Sequence, residues 1–258
     1  FMATQAGTIK RVELEQFGNV RSNGLRAIEL NEADTLIGVA ITDGEQQIML
    51  FSNEGKAIRF AETDVRSMGR SAKGVRGMRV TIGAVQTEEA DDVDSDDEDL
   101  DTTFISRIVS LVVVPETGEV LCASANGYGK RTPVDDFPTK KRGGKGVIAL
   151  KTSERNGELV GAVAIDASKE LMLISDGGTL VRTRASEVAQ TGRNAQGVRL
   201  IRLGENETLV GVEAIEAVEE EELLDDASLA EPSEVLIDDE TIIDETENES
   251  GLNEPEAD

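Results

Sequence analysis

Along most of the chain apolar and polar positions alternate over short runs, as in Gly146-Val-Ile-Ala-Leu150. No window of the body carries a convincing period of 3.6. The alternation predicts short strands joined by glycine-containing turns, and therefore an all-β body. Aligning the body with itself exposes a repeat. Four segments open alike: Met2-Ala-Thr-Gln-Ala-Gly7-Thr-Ile-Lys-Arg11, Met49-Leu-Phe-Ser-Asn-Glu-Gly55-Lys-Ala-Ile-Arg59, Leu121-Cys-Ala-Ser-Ala-Asn-Gly127-Tyr-Gly-Lys-Arg131 and Met172-Leu-Ile-Ser-Asp-Gly-Gly178-Thr-Leu-Val-Arg182. The turn glycines are separated by 48, 72 and 51 residues, and the long interval holds an acidic insertion at 88–101, so the underlying period is about 50.

Each opening predicts a β-hairpin whose glycine takes φ > 0 without steric cost and whose return strand ends in a basic residue. A second glycine, at 24, 74, 146 and 197, follows 17 to 19 residues later and opens another alternating run. A third element closes the unit: Leu36-Ile-Gly-Val39, Leu159-Val-Gly-Ala162 and Leu209-Val-Gly-Val212, with Ile108 to Val114 in its place in the second repeat. One repeat is thus about four short strands, with repeats at 1–47, 48–119, 120–169 and 170–212. Such units read as propeller-like blades, because a lone four-stranded sheet must stack on neighbours to bury its faces. An ordinary β-sandwich is the alternative. Phe1-Met2 begins inside a strand pattern, so a fragment of a larger chain is expected.

Charge partitions the sequence differently. The 258 residues hold 26 Lys+Arg against 52 Asp+Glu, a net charge of −26. From Glu213 to Asp258 there are 20 acidic residues and no basic one, and residues 88–101 hold 10 more acids with no base. Removing both leaves 22 acids against all 26 bases, a body of about +4. Segments so charged and so poor in aromatics cannot bury enough apolar surface to offset ordering entropy, so both are expected to be largely disordered, the second as a C-terminal tail at 213–258. With no histidine and one cysteine, a histidine-based triad, a Cys/His zinc cluster and an internal disulfide are excluded. A lone thiol fits a reducing compartment. No apolar run approaches the roughly 20 residues that span a bilayer, and the first residues are no signal peptide, which together predict a soluble intracellular protein.

The cations recur at equivalent repeat positions. Hairpin returns carry Lys10, Arg11, Arg59, Lys130, Arg131, Arg182 and Arg184. Second-glycine loops carry Arg21, Arg26, Arg70, Lys73, Arg76, Arg79, Lys140, Lys141, Arg142, Lys145, Arg193 and Arg199, with Arg202 close by. On a ring of blades, repeated positions become a charged stripe, which a phosphate backbone can follow. The plainer reading is a solvated rim of surface charge. With one tyrosine and no tryptophan, single-strand recognition by stacking is disfavoured, and duplex DNA read by backbone and shape fits better.

Other motifs fail on spacing. Lys140-Lys-Arg-Gly-Gly-Lys-Gly146 lacks the G-x-x-x-x-G-K-[ST] pattern of a nucleotide-binding loop. Asp92, Asp94 and Asp96 alternate like calcium ligands, but Asp97 stands where the loop needs glycine and Thr103 where it needs a bidentate Glu. No carboxylate pair is singled out for acid–base work. Cys122, in an alternating strand, reads as core, and Tyr128 as structural or a rim contact. No catalytic and no metal site is expected.

The motifs Phe51-Ser-Asn-Glu-Gly-Lys56, Val65-Arg-Ser-Met-Gly69 with Gly74-Val-Arg-Gly77, Asn126-Gly-Tyr-Gly-Lys-Arg131, Thr152-Ser-Glu-Arg-Asn-Gly157, Gly178-Thr-Leu-Val-Arg-Thr-Arg184 and Gly192-Arg-Asn-Ala-Gln-Gly-Val198 resemble the C-terminal domain of DNA gyrase A. The resemblance covers nearly all of 1–213. It implies a β-pinwheel that wraps duplex DNA around its basic perimeter and supports ATP-dependent negative supercoiling. The same resemblance implies, as partners, the rest of gyrase A and the ATPase gyrase B in a heterotetramer, in the bacterial cytoplasm at the nucleoid. ATP and Mg²⁺ would bind elsewhere in the holoenzyme, with no cofactor in this chain. The family's active-site tyrosine belongs to the N-terminal half of gyrase A, so Tyr128 does not inherit that role. Six blades are usual in the family, so about two, with the Q-R-R-G-G-K-G box, are expected to be missing; Lys140 to Gly146 echoes that box in a later blade. The related topoisomerase IV domain and a propeller scaffold that binds proteins remain alternatives. An acidic tail is also common in the family, and here it is expected to compete with phosphate for the basic rim.

Overall fold

A computed structural model describes residues 1–20, 22–84, 102–104, 106–166 and 168–217. The acidic insertion at 88–101, the tail from residue 218 and Arg21 lie outside the described residues, and so do the expectations of disorder and of tail competition attached to them. The strands are β1 (Met2–Thr4), β2 (Thr8–Lys10), β3 (Leu36–Val39), β4 (Gln47–Ser52), β5 (Lys56–Ala61), β6 (Val75–Arg76), β7 (Ile82–Ala84), β8 (Thr102–Phe104), β9 (Ile108–Val114), β10 (Glu119–Ser124), β11 (Tyr128–Pro133), β12 (Val147–Ile148), β13 (Leu159–Ile165), β14 (Lys169–Ser175), β15 (Leu180–Arg184), β16 (Val198–Arg199) and β17 (Leu209–Glu216). Among the described residues there is no α-helix; single 3₁₀ turns such as Val134–Asp136 follow the hairpins.

Among the described residues four antiparallel blades and a separate β7–β8 pair result, a propeller-like all-β arrangement. Three have the strand orders β3-β1-β2-β6, β9-β4-β5-β12 and β13-β10-β11-β16; the fourth is three-stranded, β17-β14-β15. One feature differs from the expected self-contained repeats. The outermost strand of each four-stranded blade, β6, β12 or β16, follows the second glycine of the next repeat. The physical cause is a shortage of partners. A hairpin's return strand has an open edge, and the next repeat brings a short extended run alongside it.

The tie is repeated in atomic detail. The Gly7 carbonyl accepts the Gly77 and Met78 amides at 2.8 and 3.2 Å, the Gly55 carbonyl those of Ala149 and Leu150 at 2.8 and 3.0 Å, and the Gly127 carbonyl those of Leu200 and Ile201 at 2.8 and 3.2 Å.

The core lies between blades rather than within one. On β4, Ile48 and Leu50 face the first blade with Ala3 and Ile9, while Met49 and Phe51 face the third blade with Val120 and Cys122. On β10, Leu121 and Ala123 turn instead to Leu171 and Leu173 of the fourth blade. Central strands are thus buried on both sides, and each such Leu or Ile contributes about 1.5–3 kcal/mol by leaving water. The inner strands β3, β9, β13 and β17 contact one another in that order. Burial pushes the Cys122 thiol up to about 12, which fits a core residue and not a nucleophile.

Charge alone starts the acidic tail at Glu213, but β17 continues through Glu216, beyond the expected boundary at 212. Its last pairs are held by the backbone ladder to β14, with Glu213 opposite Met172 and Glu216 opposite Lys169, whose ammonium it pairs with. Four residues, two of them acidic, therefore complete a strand because the partner strand is already in place.

Gly55 and Gly178 allow the tie to be measured. Both have positive φ, 73° and 84°, but a Cβ at Gly55 would lie 2.1 Å from the Leu150 carbonyl oxygen, and one at Gly178 meets nothing within 4 Å. Both alanine variants should lose about 1–2 kcal/mol for the left-handed backbone. Gly55→Ala should lose about 1–3 kcal/mol more from overpacking, read as the difference in denaturant unfolding free energy.

Candidate nucleic-acid interface

The third residue after each turn glycine points into the protein. Ile58 and Val181 occupy this position in two repeats, Lys10 and Lys130 in the others, and both lysines are fully buried. The Lys130 ammonium donates to the Gly192 carbonyl at 2.7 Å, the Arg193 carbonyl at 3.0 Å and Thr132 Oγ1 at 3.1 Å. Lys10 donates to the Ala27 carbonyl at 2.7 Å and to that of Arg70. These two predicted DNA contacts are therefore corrected. Their stems lie in the interior and their charged heads are saturated by loop carbonyls, which no phosphate can reach without displacing them. Desolvation lowers the Lys10 pKa, and the Arg70 charge adds to it. For Lys130 desolvation dominates, helped by Arg193 and opposed by Cys122 and Asp136, and the pKa falls to about 8.

One residue further on, Arg11, Arg59 and Arg131 are half-buried and bridge in parallel to Ser67, Thr139 and Gln190 of the following repeat. Arg59 Nη1 donates to the carbonyls of Val134 at 2.8 Å and Phe137 at 3.3 Å, clasping a 3₁₀ turn of the next blade. Arg131 clasps the equivalent turn through the Val188 carbonyl at 2.7 Å, and a 2.6 Å ion pair with Glu119 orients it. Arg11 reaches the Gly44 carbonyl at 3.4 Å. Arg59 and Arg131 are thus interblade clamps, whereas the Gly44 that Arg11 reaches lies in its own repeat. Arg182, their counterpart in the fourth repeat, is exposed and pairs with Glu170; Arg184 is exposed at the end of β15.

The remaining predicted cations gather at the outer edge. Arg26, Arg76 and Arg199 are exposed two residues beyond their second glycines, with Ile148 at the equivalent place in the third repeat. Between them lie Arg70, Arg142 and Arg193, each reaching back to the backbone of the preceding outer segment. Arg142 donates to the Arg76 carbonyl at 2.9 Å, Arg193 to that of Ile148 at 3.3 Å, and Arg70 to that of Arg26 at 3.5 Å. Backbone contacts join the same loops, Gly143 N–H to the Gly77 carbonyl and Arg79 N–H to that of Gly144. Lys73, Arg79, Lys140, Lys141 and Lys145 are exposed alongside. Among the described residues only Lys73 of this group has an acidic partner, Glu29 at 3.9 Å, and exposed pairs of that kind contribute little. A guanidinium that spends one or two of its five N–H groups on backbone keeps the rest for an anion.

Sequence reasoning left out Arg66 and Arg155, both exposed. Arg155 stands nine positions after its second glycine, where Ala33, Gly83 and Asn206 occupy the other repeats, so no recurring cation marks it. Its guanidinium lies 4.8 Å from the centre of the Tyr128 ring. Among the described residues no group of three His, Cys, Asp or Glu side chains could hold a metal, and no helix is long and apolar enough to cross a membrane.

Lys130→Met offers a check on the buried cations. The orphaned carbonyls should cost about 1–3 kcal/mol at pH 7. Because the folded pKa lies below the unfolded one, the unfolded state binds more protons between about pH 8 and 10.5, and native stability should rise through that window in the parent. In the variant this rise should be missing, as read by thermal unfolding at pH 7 and near pH 10.

A family model described as the DNA gyrase C-terminal domain, a β-propeller, matches residues 1–43, 46–93, 118–166 and 169–216. The chain is 47% identical over 238 residues to the DNA gyrase A protein of Haemophilus influenzae, covering 89% of this chain and 27% of that one. It is 50% identical over 217 residues to its Pseudomonas aeruginosa counterpart, covering 84% and 21%, and 45% identical over 251 residues to that of Escherichia coli, covering 96% and 26%. The chain thus spans about a quarter of the length of the curated relatives it matches. Among solved structures it resembles a DNA gyrase A C-terminal domain with a TM-score of 0.67 at 28% identity, covering 83% of this chain and 64% of that one. A topoisomerase IV C-terminal domain matches with a TM-score of 0.71 at 23% identity, covering 88% and 64%, a likeness of fold.

Proposed function

Because the chain belongs to the DNA gyrase C-terminal β-propeller family, we propose that it binds duplex DNA along the outer edge of its blades. It bends the duplex as the wrapping portion of gyrase A. In the holoenzyme, with the rest of gyrase A and the ATPase gyrase B, that wrap serves ATP-dependent negative supercoiling. ATP and Mg²⁺ act elsewhere in that assembly, and the expected place of action is the bacterial nucleoid. The observation that carries the reading is the arginine ladder of the outer edge, where Arg70, Arg142 and Arg193 each bridge to the outer segment of the preceding repeat.

Three features favour a phosphate backbone over a protein partner. The edge presents arginines with donors to spare, it offers glycine-lined backbone that permits close approach, and its cations recur from blade to blade, which gives a polyanion several contacts along one edge. The named relatives are gyrase proteins, so gyrase is preferred to topoisomerase IV.

Salt dependence tests the reading. The slope of log K against log salt is near −0.9 per phosphate neutralised. Replacing Arg76, Arg142 and Arg193 together by Gln should therefore flatten the slope by about 3 and weaken all duplex sequences alike. Arg59→Gln, inside the fold, should lower stability while leaving the slope near the parent value. A protein-binding scaffold would show negligible duplex affinity throughout. Wrapping itself is read from the linking-number change of relaxed plasmid, whose sign separates gyrase-like from topoisomerase IV-like behaviour.

A further inference from the structure

Tyr128, the first residue after the turn glycine of the third hairpin, is 8% exposed, and two arginines converge on it. Arg199, on the outer strand β16, donates to the phenol oxygen at 2.9 Å, and its guanidinium carbon lies 5.4 Å from the ring centre. Arg155 approaches the same ring to 4.8 Å from the loop between β12 and β13.

That loop is pinned on two sides. The Asn126 amide donates to the carbonyls of Glu154 at 3.0 Å and Arg155 at 3.1 Å. The fully buried Asn156 donates to those of Lys151 and Gln196, both at 3.0 Å.

The acid of the neighbouring cavity does not neutralise the pair. Glu207 lines the neighbouring cavity of about 360 Å³ with Asn126, Arg199 and Arg202. Its carboxylate is committed elsewhere, to the Ser175 hydroxyl and to the Gly204 N–H at 2.6 Å. Among the described residues neither Arg155 nor Arg199 forms an ion pair.

Two cations held against one aromatic ring repel each other, and the ring quadrupole offsets only part of that repulsion. Bringing them together, one on a pinned loop and one on an outer strand, makes physical sense when a third, negative group completes the site. We propose that Arg155 and Arg199, oriented by Tyr128, form a phosphodiester-binding site at the tip of the third blade, which extends the DNA contact from the outer edge onto the hairpin end. Tyr128 is a positioning residue here, and Arg155 and Arg199 supply the contacts. The inference rests on the duplex-binding reading and adds a place and a part to it. The Arg199 hydrogen bond, followed by that of Arg155, lowers the Tyr128 pKa, so an anion seated between the guanidinium groups would raise it again.

The chain has one tyrosine and no tryptophan, so tyrosine emission and phenol titration report this site alone. Duplex DNA should change the emission and raise the phenol titration in the parent, and both responses should vanish in Arg155→Gln. Tyr128→Leu should flatten the salt slope by about 1–2, the equivalent of one or two phosphates. Tyr128→Phe, which keeps the ring and loses the hydroxyl, should recover part of that slope; thermal unfolding verifies that each variant is folded. A parent that binds duplex with its full slope while the tyrosine signals stay unmoved would overturn this site and leave the edge reading intact. A response to pyrophosphate but not to duplex would assign the site to a free anion and overturn the backbone contact. Absence of any duplex binding by the parent would remove both readings together.

Discussion

Everything in this architecture depends on a carbonyl at a hairpin turn receiving two amides from the next repeat. Gly7, Gly55 and Gly127 each do so, and each donation places two residues of extended chain against a return strand that would otherwise present an open edge. The cost of leaving such backbone groups unmet in a sheet is high enough that the donor's register is strongly constrained. Because the donor belongs to the next repeat, blades cannot slide past one another without breaking these bonds. The interblade cores then close on both faces of β4 and β10. Among the described residues the fourth blade's return strand β15 has no outer partner in the sheet, and Leu180 there is 57% exposed.

The same donation composes the outer edge. An outer strand and the loop that crosses it come from successive repeats, so the carbonyl of Arg76 from the second repeat meets the guanidinium of Arg142 from the third. Cations from different parts of the sequence are thereby interleaved at close spacing, with their side chains partly fixed before any ligand arrives. Fixing long side chains in advance reduces the ordering entropy that binding would otherwise cost. This is the structural reason for an edge of arginines rather than lysines at Arg70, Arg142 and Arg193: a planar fork can hold a backbone carbonyl and still present donors outward, whereas an ammonium offers a compact point charge.

Much of this was legible in the residues. The fourfold hairpin opening, the all-β class and the recurrence of cations followed from spacing alone. Strand exchange between repeats did not, because Val75–Arg76, Val147–Ile148 and Val198–Arg199 are two-residue strands whose partners are set by three-dimensional approach and leave no periodic trace. The edge was overcounted for a related reason. A lysine and an isoleucine at one repeat position, Lys130 and Ile58, signal an inward-facing site, since a long aliphatic stem can replace an apolar side chain if its head finds acceptors. Reading each repeat alone, that substitution looks like one more surface charge. Arg155 was missed for the opposite reason, since its counterparts carry no charge and its meaning lies in Tyr128.

Placement, then, counts for more than the sum of charge. Lys10 and Lys130 are saturated by carbonyls, Arg59 and Arg131 hold 3₁₀ turns, and Arg107, Lys169 and Arg182 face carboxylates of Glu158, Glu216 and Glu170. Each of these cations is paired with a carboxylate or has its donors taken up by backbone carbonyls, so none of them is free to meet a phosphate directly. What remains at the outer edge is a smaller set with few acidic neighbours. With Glu213 and Glu216 counted in β17 the folded body has 24 acids against 26 bases, and a charge of about +2 divided evenly over the surface would attract a polyanion weakly. Once the interior and paired cations are set aside, the exposed ones lie along one edge, where each additional phosphate met by a preplaced guanidinium releases a further counterion.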